Sequence, residues 1–345
     1  MIPLLAEALA DNAGAGSALL RMWTSIQTQL SFYNTQVVLY GATLFGAVAG
    51  LVGTFAVLRR RALTGDAVAH AALPGVCIAF LLAGERNLWF MLLGALASGV
   101  LGIIIISALV RYTPIREDSA IGSVLSVFPG LGFVLVQLIQ TQRLSSSGSK
   151  AGLDSFILGK TASMTLVDAH LILGVAILCL LVVLLFFKEF KVIAFDASFG
   201  RSLGWPVYRL DLILMTLVAV AVVIGLPAVG MVLAAAMLIL PGASARFWTD
   251  SLSWLLVLAA LLGGLIGFLG TLISIAFDAL PTGPIIVLTG GTLFAFSLLF
   301  GMKRGLVPHW YRQWTLTKGG RAKAARRFVG SDARILALLR TPLRT

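Results

Sequence analysis

Residues 59–75 read RRRALTGDAVAHAALPG. Three arginines close one apolar run, an Asp and a His stand four apart in the next, and Leu73-Pro74-Gly75 interrupts it. On a helix, Asp66 and His70 share one face about one turn apart. Nearly everything around them is apolar. An ionisable pair inside a membrane segment is expensive and by default marks a functional site. The plainer reading is a buried polar pair hydrogen-bonded between helices. Carboxylate plus imidazole is also a ligand set for divalent first-row metals. Two ligands are too few for a tight site, so the others must come from another helix or a second copy of the chain.

The rest of the chain agrees with a membrane setting. Of 345 residues, 59% are hydrophobic and 12% charged, with a mean hydropathy of +0.99. A soluble domain is closer to ~25% charged. The expected fold is all-α, a polytopic transmembrane helix bundle. Apolar runs predict spans at about 35–58, 67–83, 88–110, 119–140, 166–187, 212–226, 229–245, 251–277 and 283–300. The second is interrupted at Pro74-Gly75, and the sixth ends at Pro227. Three of these segments are short, so eight spans compete with nine.

Three regions follow: an N-terminal interfacial segment (1–33), a membrane body (34–301) and a basic tail (302–345). The tail holds eleven Lys/Arg against one acid, Asp332, while the rest of the chain is nearly neutral. Beside a membrane span, such a tail reads as a cytoplasmic anchor to anionic lipid, with no nucleic-acid partner. Residues 1–31 lack a basic start and carry Glu7 and Asp11, which argues against a signal peptide. If the first span runs outside to inside, ten loop Lys/Arg before the tail fall on the cytoplasmic side and five outside. This places the N-terminus outside and the tail inside, and requires an odd number of spans.

Residues 188–211, KEFKVIAFDASFGRSLGWPVYRLD, mix charge with Phe190, Phe195, Phe199 and Trp205. A charged loop with apolar knobs suits docking of a soluble partner as well as it suits an ordinary solvated loop. A short helix is expected across 195–203. Asp168, His170 and Asp278 sit near the outer ends of predicted spans, as interfacial polar groups or as the lining of an outer vestibule. Cys77 and Cys179 lie inside apolar runs and read as small buried hydrophobes. Cys77 stands seven residues past His70, but Pro74-Gly75 is expected to break the register between them. The chain contains no G-x-x-x-x-G-K-[ST], H-E-x-x-H or G-x-S-x-G.

With these stretches quoted, the chain resembles the membrane permease subunits of the manganese/zinc/iron ABC importers along roughly residues 34–301. The resemblance rests on RRRALTGDAVAHAALPG, REDSAIGSVLSVFPGLG, GLDSFILGKTAS, KEFKVIAFDASFGRSLG, VGMVLAAAMLILPGASAR and LPTGPIIVL in this order. Pro129, within SVFPGLG, departs from the family pattern. The resemblance implies a plasma-membrane importer subunit without ATPase activity of its own. Its partners would be two ATP-binding cassette subunits, a second permease, identical or homologous, and an extracytoplasmic metal-binding protein. It implies no permanent cofactor, only a transported divalent ion: manganese or iron first, zinc as an alternative. It places Asp66 and His70 on the metal path. It turns Phe195, Asp196, Ser198, Phe199, Arg201 and Gly204 toward the ATPase.

Two other readings compete. A stand-alone secondary cation transporter would show repeated halves with matching broken helices. Here the sequences around Pro74-Gly75 and Pro241-Gly242 are unlike. An intramembrane enzyme using Asp66 and His70 as acid and base would need a nucleophile or further ligands nearby. The first spans offer none.

Overall fold

The computed structural model describes residues 32–83, 87–141, 164–277, 281–308 and 310. The N-terminal segment before Phe32, the polar stretch 142–163, Asp278, His309 and the tail from residue 311 lie outside the described residues. Among the described residues, the regular structure is all helical, with eleven helices: α1 (Tyr33–Leu58), α2 (Thr64–Ala83), α3 (Leu88–Tyr112), α4 (Glu117–Thr141), α5 (Leu166–Leu185), α6 (Phe187–Phe195), α7 (Ala197–Ser202), α8 (Val207–Val229), α9 (Met231–Ala245), α10 (Leu252–Ala276) and α11 (Thr282–Phe300). Eight are long and apolar enough to cross a bilayer. The exceptions are the short pair α6–α7 and the apolar 15-residue α9.

The helices sort by burial into an inner and an outer set. The central windows of α1, α2 and α8 are 61–67% buried, those of α5 and α11 only 22%. Exposed Leu and Ile residues on α5, such as Ile177, Leu181 and Leu184, are what a lipid-facing helix presents. The inner helices pack through small residues. Gly46 of α1 meets the backbone of Gly263 of α10, and Gly75 of α2 meets that of Gly94 of α3. A side chain at any of these four would strike the neighbouring backbone, so the tight crossings depend on glycine.

These packing pairs also give the direction of each helix. Along α10, Gly263 faces Gly46 and Gly267 faces Ala42 of α1, so the two run antiparallel. Gly270 of α10 faces Ile286 and Gly290 of α11 faces Ile266, so α11 runs antiparallel to α10 and parallel to α1. Short as it is, α9 reverses the chain between α8 and α10. Gly301, after α11, packs on Phe247, just past α9. The start of α1 and the end of α11 therefore lie at opposite ends of the bundle, as an odd number of passes demands.

Proline does not break helices here as expected. Pro74, Pro129, Pro227 and Pro241 all sit inside α-helices. The sixth span continues past Pro227 to Val229 and stops at Gly230, whose φ is +82°. In a helix bundle, close packing against neighbouring helices holds a proline-containing helix together. Beside Pro74, Ser98 Oγ of α3 donates to the carbonyl of Ala71 at 2.6 Å.

Candidate functional site

Asp66 lies in the first turn of α2. Its Oδ1 is 3.6 Å from His70 Nε2, and each side chain is 33% exposed. Almost every other residue of α2 as far as Cys77 is buried. The pair thus forms a narrow accessible stripe on an otherwise enclosed helix. Farther along α2, beyond the buried residues 71–77, Ile78 and Leu82 line a separate apolar groove of about 810 Å³ between α2 and α3. His70 Nδ1 is buried with no hydrogen-bond partner. Pro74 has no N–H, so the carbonyl of His70 also lacks its usual helical donor. Negative and lone-pair character therefore collects on one side of α2 with little positive charge to match it. Among the described residues, no cluster of three or more His, Cys, Asp or Glu side chains is placed to hold a metal ion.

Cys77 does not join this site. The helix runs unbroken through Pro74, so the register is kept. The thiol instead points to α4, where Sγ approaches the carbonyl of Gly132 at 3.9 Å. Cys179 is likewise buried and free.

The second candidate element lies at the end of the bundle where α1 finishes. Residues 187–202 form two helices rather than one helix across 195–203. The first, α6, packs Phe190 edge-on against Phe55 of α1, with centroids 5.6 Å apart, and buries Ile193. Phe190 is therefore an anchor and not a docking knob, and Trp205 also leans on the core. Phe195, Phe199 and Leu203 remain more than half exposed. Asp196 caps α7, its Oδ1 accepting from Ser198 N, Phe199 N and Ser198 Oγ at 3.0, 2.9 and 2.6 Å. The Ser198 hydroxyl foremost, then the Phe199 amide, hold the Asp196 carboxyl below its ordinary range. Gly204, at φ +79°, ends α7 in the left-handed turn that glycine takes freely. Each expected docking residue thus has a local part: Asp196 and Ser198 start the helix, Gly204 ends it, and Phe195 and Phe199 are displayed. Arg201 is exposed on its last turn.

At the other end, Asp168 and His170 both make local bonds in the first turns of α5. Asp168 and Thr165 form a reciprocal capping box at the start of α5. His170 Nδ1 lies 2.7 Å from the carbonyl of Leu166. Asp278, the third residue assigned there, lies outside the described residues.

Sequence reasoning missed a further charged group. The carboxylate of Asp211, on α8, receives Arg59 at 2.6 Å and Arg61 at 2.5 Å. Arg59 also donates to the carbonyl of Ile193 at 2.6 Å, and Arg61 pairs with Glu117 at the start of α4. Burial lowers the Arg61 guanidinium from its ordinary range, Asp211 opposes that effect, and Arg59 adds to it. The signal was the acid at position 211, 150 residues beyond Arg61, and no local pattern links the two.

With this geometry in place, the fold can be compared with known proteins. The sequence profile of the ABC 3 transport family matches residues 31–301. The chain belongs to the ABC 3 transport family. It is a multi-pass membrane component of a transport system. Similar proteins include the manganese transport system membrane protein MntC of Bacillus subtilis, 47% identical over 285 residues. That alignment covers 83% of this chain and 65% of the relative, so the chain spans slightly under two thirds of that protein's length. The zinc transport system membrane protein TroC of Treponema pallidum is 43% identical over 82% of this chain and 93% of its own length. Among solved structures, PsaBC from Streptococcus pneumoniae, in complex with a Fab, superposes with a TM-score of 0.70 at 32% identity. The superposition covers 81% of this chain and 96% of that chain.

Proposed function

We propose that this protein is the permease subunit of an ATP-driven importer of divalent transition-metal ions in the bacterial plasma membrane. The observation that carries this reading is the Asp66–His70 pair. It is one-third accessible on a stretch of α2 otherwise enclosed by protein, with a ring nitrogen left unpartnered. Charged groups at such depth face protein or a water-filled path and mark ion pathways. The donor set, one carboxylate oxygen and one imidazole nitrogen, suits manganese, iron(II) and zinc alike. Manganese or iron is the favoured cargo, and zinc is tolerated. The names of the relatives, manganese for one and zinc for another, fit a permissive pair. Two ligands per chain fit a second permease that brings its own pair to a shared path.

The α6–α7 element docks the ATPase subunits. Its exposed Phe195 and Phe199 are apolar groups that a soluble partner would cover. The end bearing Arg59, Arg60 and Arg61 is cytoplasmic, following the excess of Lys/Arg there, and the start of α1 faces outside. An extracytoplasmic binding protein delivers the ion at that outer face, and the basic tail lies on the cytoplasmic leaflet.

The test is uptake of radioactive manganese into cells carrying Asp66→Ala or His70→Ala. Uptake should fall more than about tenfold while membrane insertion is unchanged. Normal uptake by both variants would refute the pathway role.

A further inference from the structure

We propose that Arg59, Arg61, Asp211 and Glu117 form a charged clasp that passes movement of α6–α7 to α2, and so to Asp66 and His70. The proposal rests on the permease reading above. None of the four side chains displays itself for docking, and none belongs to the Asp66–His70 pair. Yet two cations and two anions are gathered here, with Arg59, Arg61 and Asp211 only 11–14% exposed. Burying such a network stabilises a fold little more than apolar packing of the same volume would. Its best-attested use is to set register or to switch.

The connections give the clasp a direction. Arg59 holds the carbonyl of Ile193, near the end of α6, and the carboxylate of Asp211, on α8. Arg61 holds the other oxygen of Asp211 and reaches Glu117, the first residue of α4. Three helices, α4, α6 and α8, therefore meet on two side chains two residues apart. A displacement of α6 acts on Arg59 directly and, through Asp211, on Arg61. Three residues beyond Arg61 α2 begins, and Asp66 lies in its first turn, five residues on.

The backbone at this point is built for the purpose. Arg60 N–H donates to Val57 O at 3.1 Å and Arg61 N–H to Ala56 O at 2.8 Å, a Schellman closure of α1. Its left-handed residue is Arg60, at φ +59°, a place where glycine is usual. The reversal leaves Arg60 exposed and turns Arg59 and Arg61 toward the interior. Backbone strain held between two buried cations is typical of a site where two arrangements must be kept distinct.

The experiment uses the complete transporter, this chain with its partner permease, ATPase subunits and metal-binding protein in proteoliposomes, and measures manganese uptake and ATP hydrolysis on the same sample. Glu117→Gln and Arg61→Gln keep much of the shape and remove the charge. The expected result is continued hydrolysis, with ions carried per ATP lower by about fivefold or more. An unchanged ratio overturns the clasp, even when both rates fall, because a merely structural network lowers them together. Should Arg61→Gln fail to insert, Glu117→Gln breaks only the contact to α4 and decides alone. A wild-type complex without ATP-driven uptake would overturn the permease reading and the clasp with it. That failure is visible before any substitution is made.

Discussion

The ends of α1 and α7 share a backbone and differ in the residue that bears its strain. Each closes with the paired hydrogen bonds of a Schellman turn: Arg60 to Val57 and Arg61 to Ala56 in α1, Gly204 to Arg201 and Trp205 to Gly200 in α7. In α7 the left-handed position is glycine, with φ +79°. In α1 it is arginine, with φ +59°. A side chain in that conformation costs about 1–2 kcal/mol. At Gly204 nothing but the backbone is at stake, and a Cβ there would meet nothing within 4 Å. At Arg60 the side chain is exposed at the membrane end, where a cation is favoured. Its neighbours are held by the buried Asp211 and, for Arg61, by Glu117. Demand for charge outweighs backbone preference at one end, and the preference is obeyed at the other.

Four changes test this contrast, from the largest expected effect to the smallest. Asp211→Asn leaves two largely buried arginines without their shared carboxylate, and about 3 kcal/mol of stability should be lost. Thermal unfolding of the purified protein in detergent measures it. An unchanged midpoint would mean that the α1 end is held by its backbone closure alone. Gly204→Val places a β-branched residue in the left-handed turn, at a cost of about 1–2 kcal/mol. The loss should be confined to α7, read as faster amide exchange across Ala197–Ser202 with α1 unaffected.

Acid provides the third test. The Asp196 carboxyl is held below its usual range chiefly by the Ser198 hydroxyl, so the group favours the folded helix in its ionised form. Its contribution is complete above the ordinary carboxylate range and is lost as pH falls through the lowered folded value. Exchange protection of α7 should therefore survive mild acidification and fail below it, and Asp196→Asn should remove that pH dependence. The smallest effect is expected of Arg60→Gly. Relief of strain is largely offset by the greater freedom of an unfolded glycine, leaving a gain below about 0.5 kcal/mol. A clear loss of stability would show that the Arg60 side chain makes contacts of its own.

Much of the site was legible because it is local. The four-residue spacing of Asp66 and His70 puts them together on any helix, and the structure keeps them 3.6 Å apart. The docking element was legible in composition, but its division at Asp196 was not, because an Asp can cap one helix or decorate another. Phe190 shows the same limit. By composition it matches Phe195 and Phe199, and only the position of Phe55 across the bundle makes it an anchor. The prolines misled in the opposite sense. A local rule ends a helix at Pro74, while the close approach of Gly75 and Gly94 packs it against α3 and lets it continue.

What the sequence by itself determined is whatever needs only near neighbours: long apolar runs, the stripe shared by Asp66 and His70, the excess of basic residues at one end, and the turn at Gly204. Hydrophobic transfer and helical periodicity act over one or two turns, so they can be read along the chain. The tertiary structure alone decided which charges meet. Asp211 has no mark in the sequence that assigns it to Arg59 and Arg61, since Coulomb attraction and hydrogen bonding act through space once folding has brought distant segments within 3 Å. The direction of α11 was likewise decided by where glycine allows two backbones to touch, which only the packed bundle reveals.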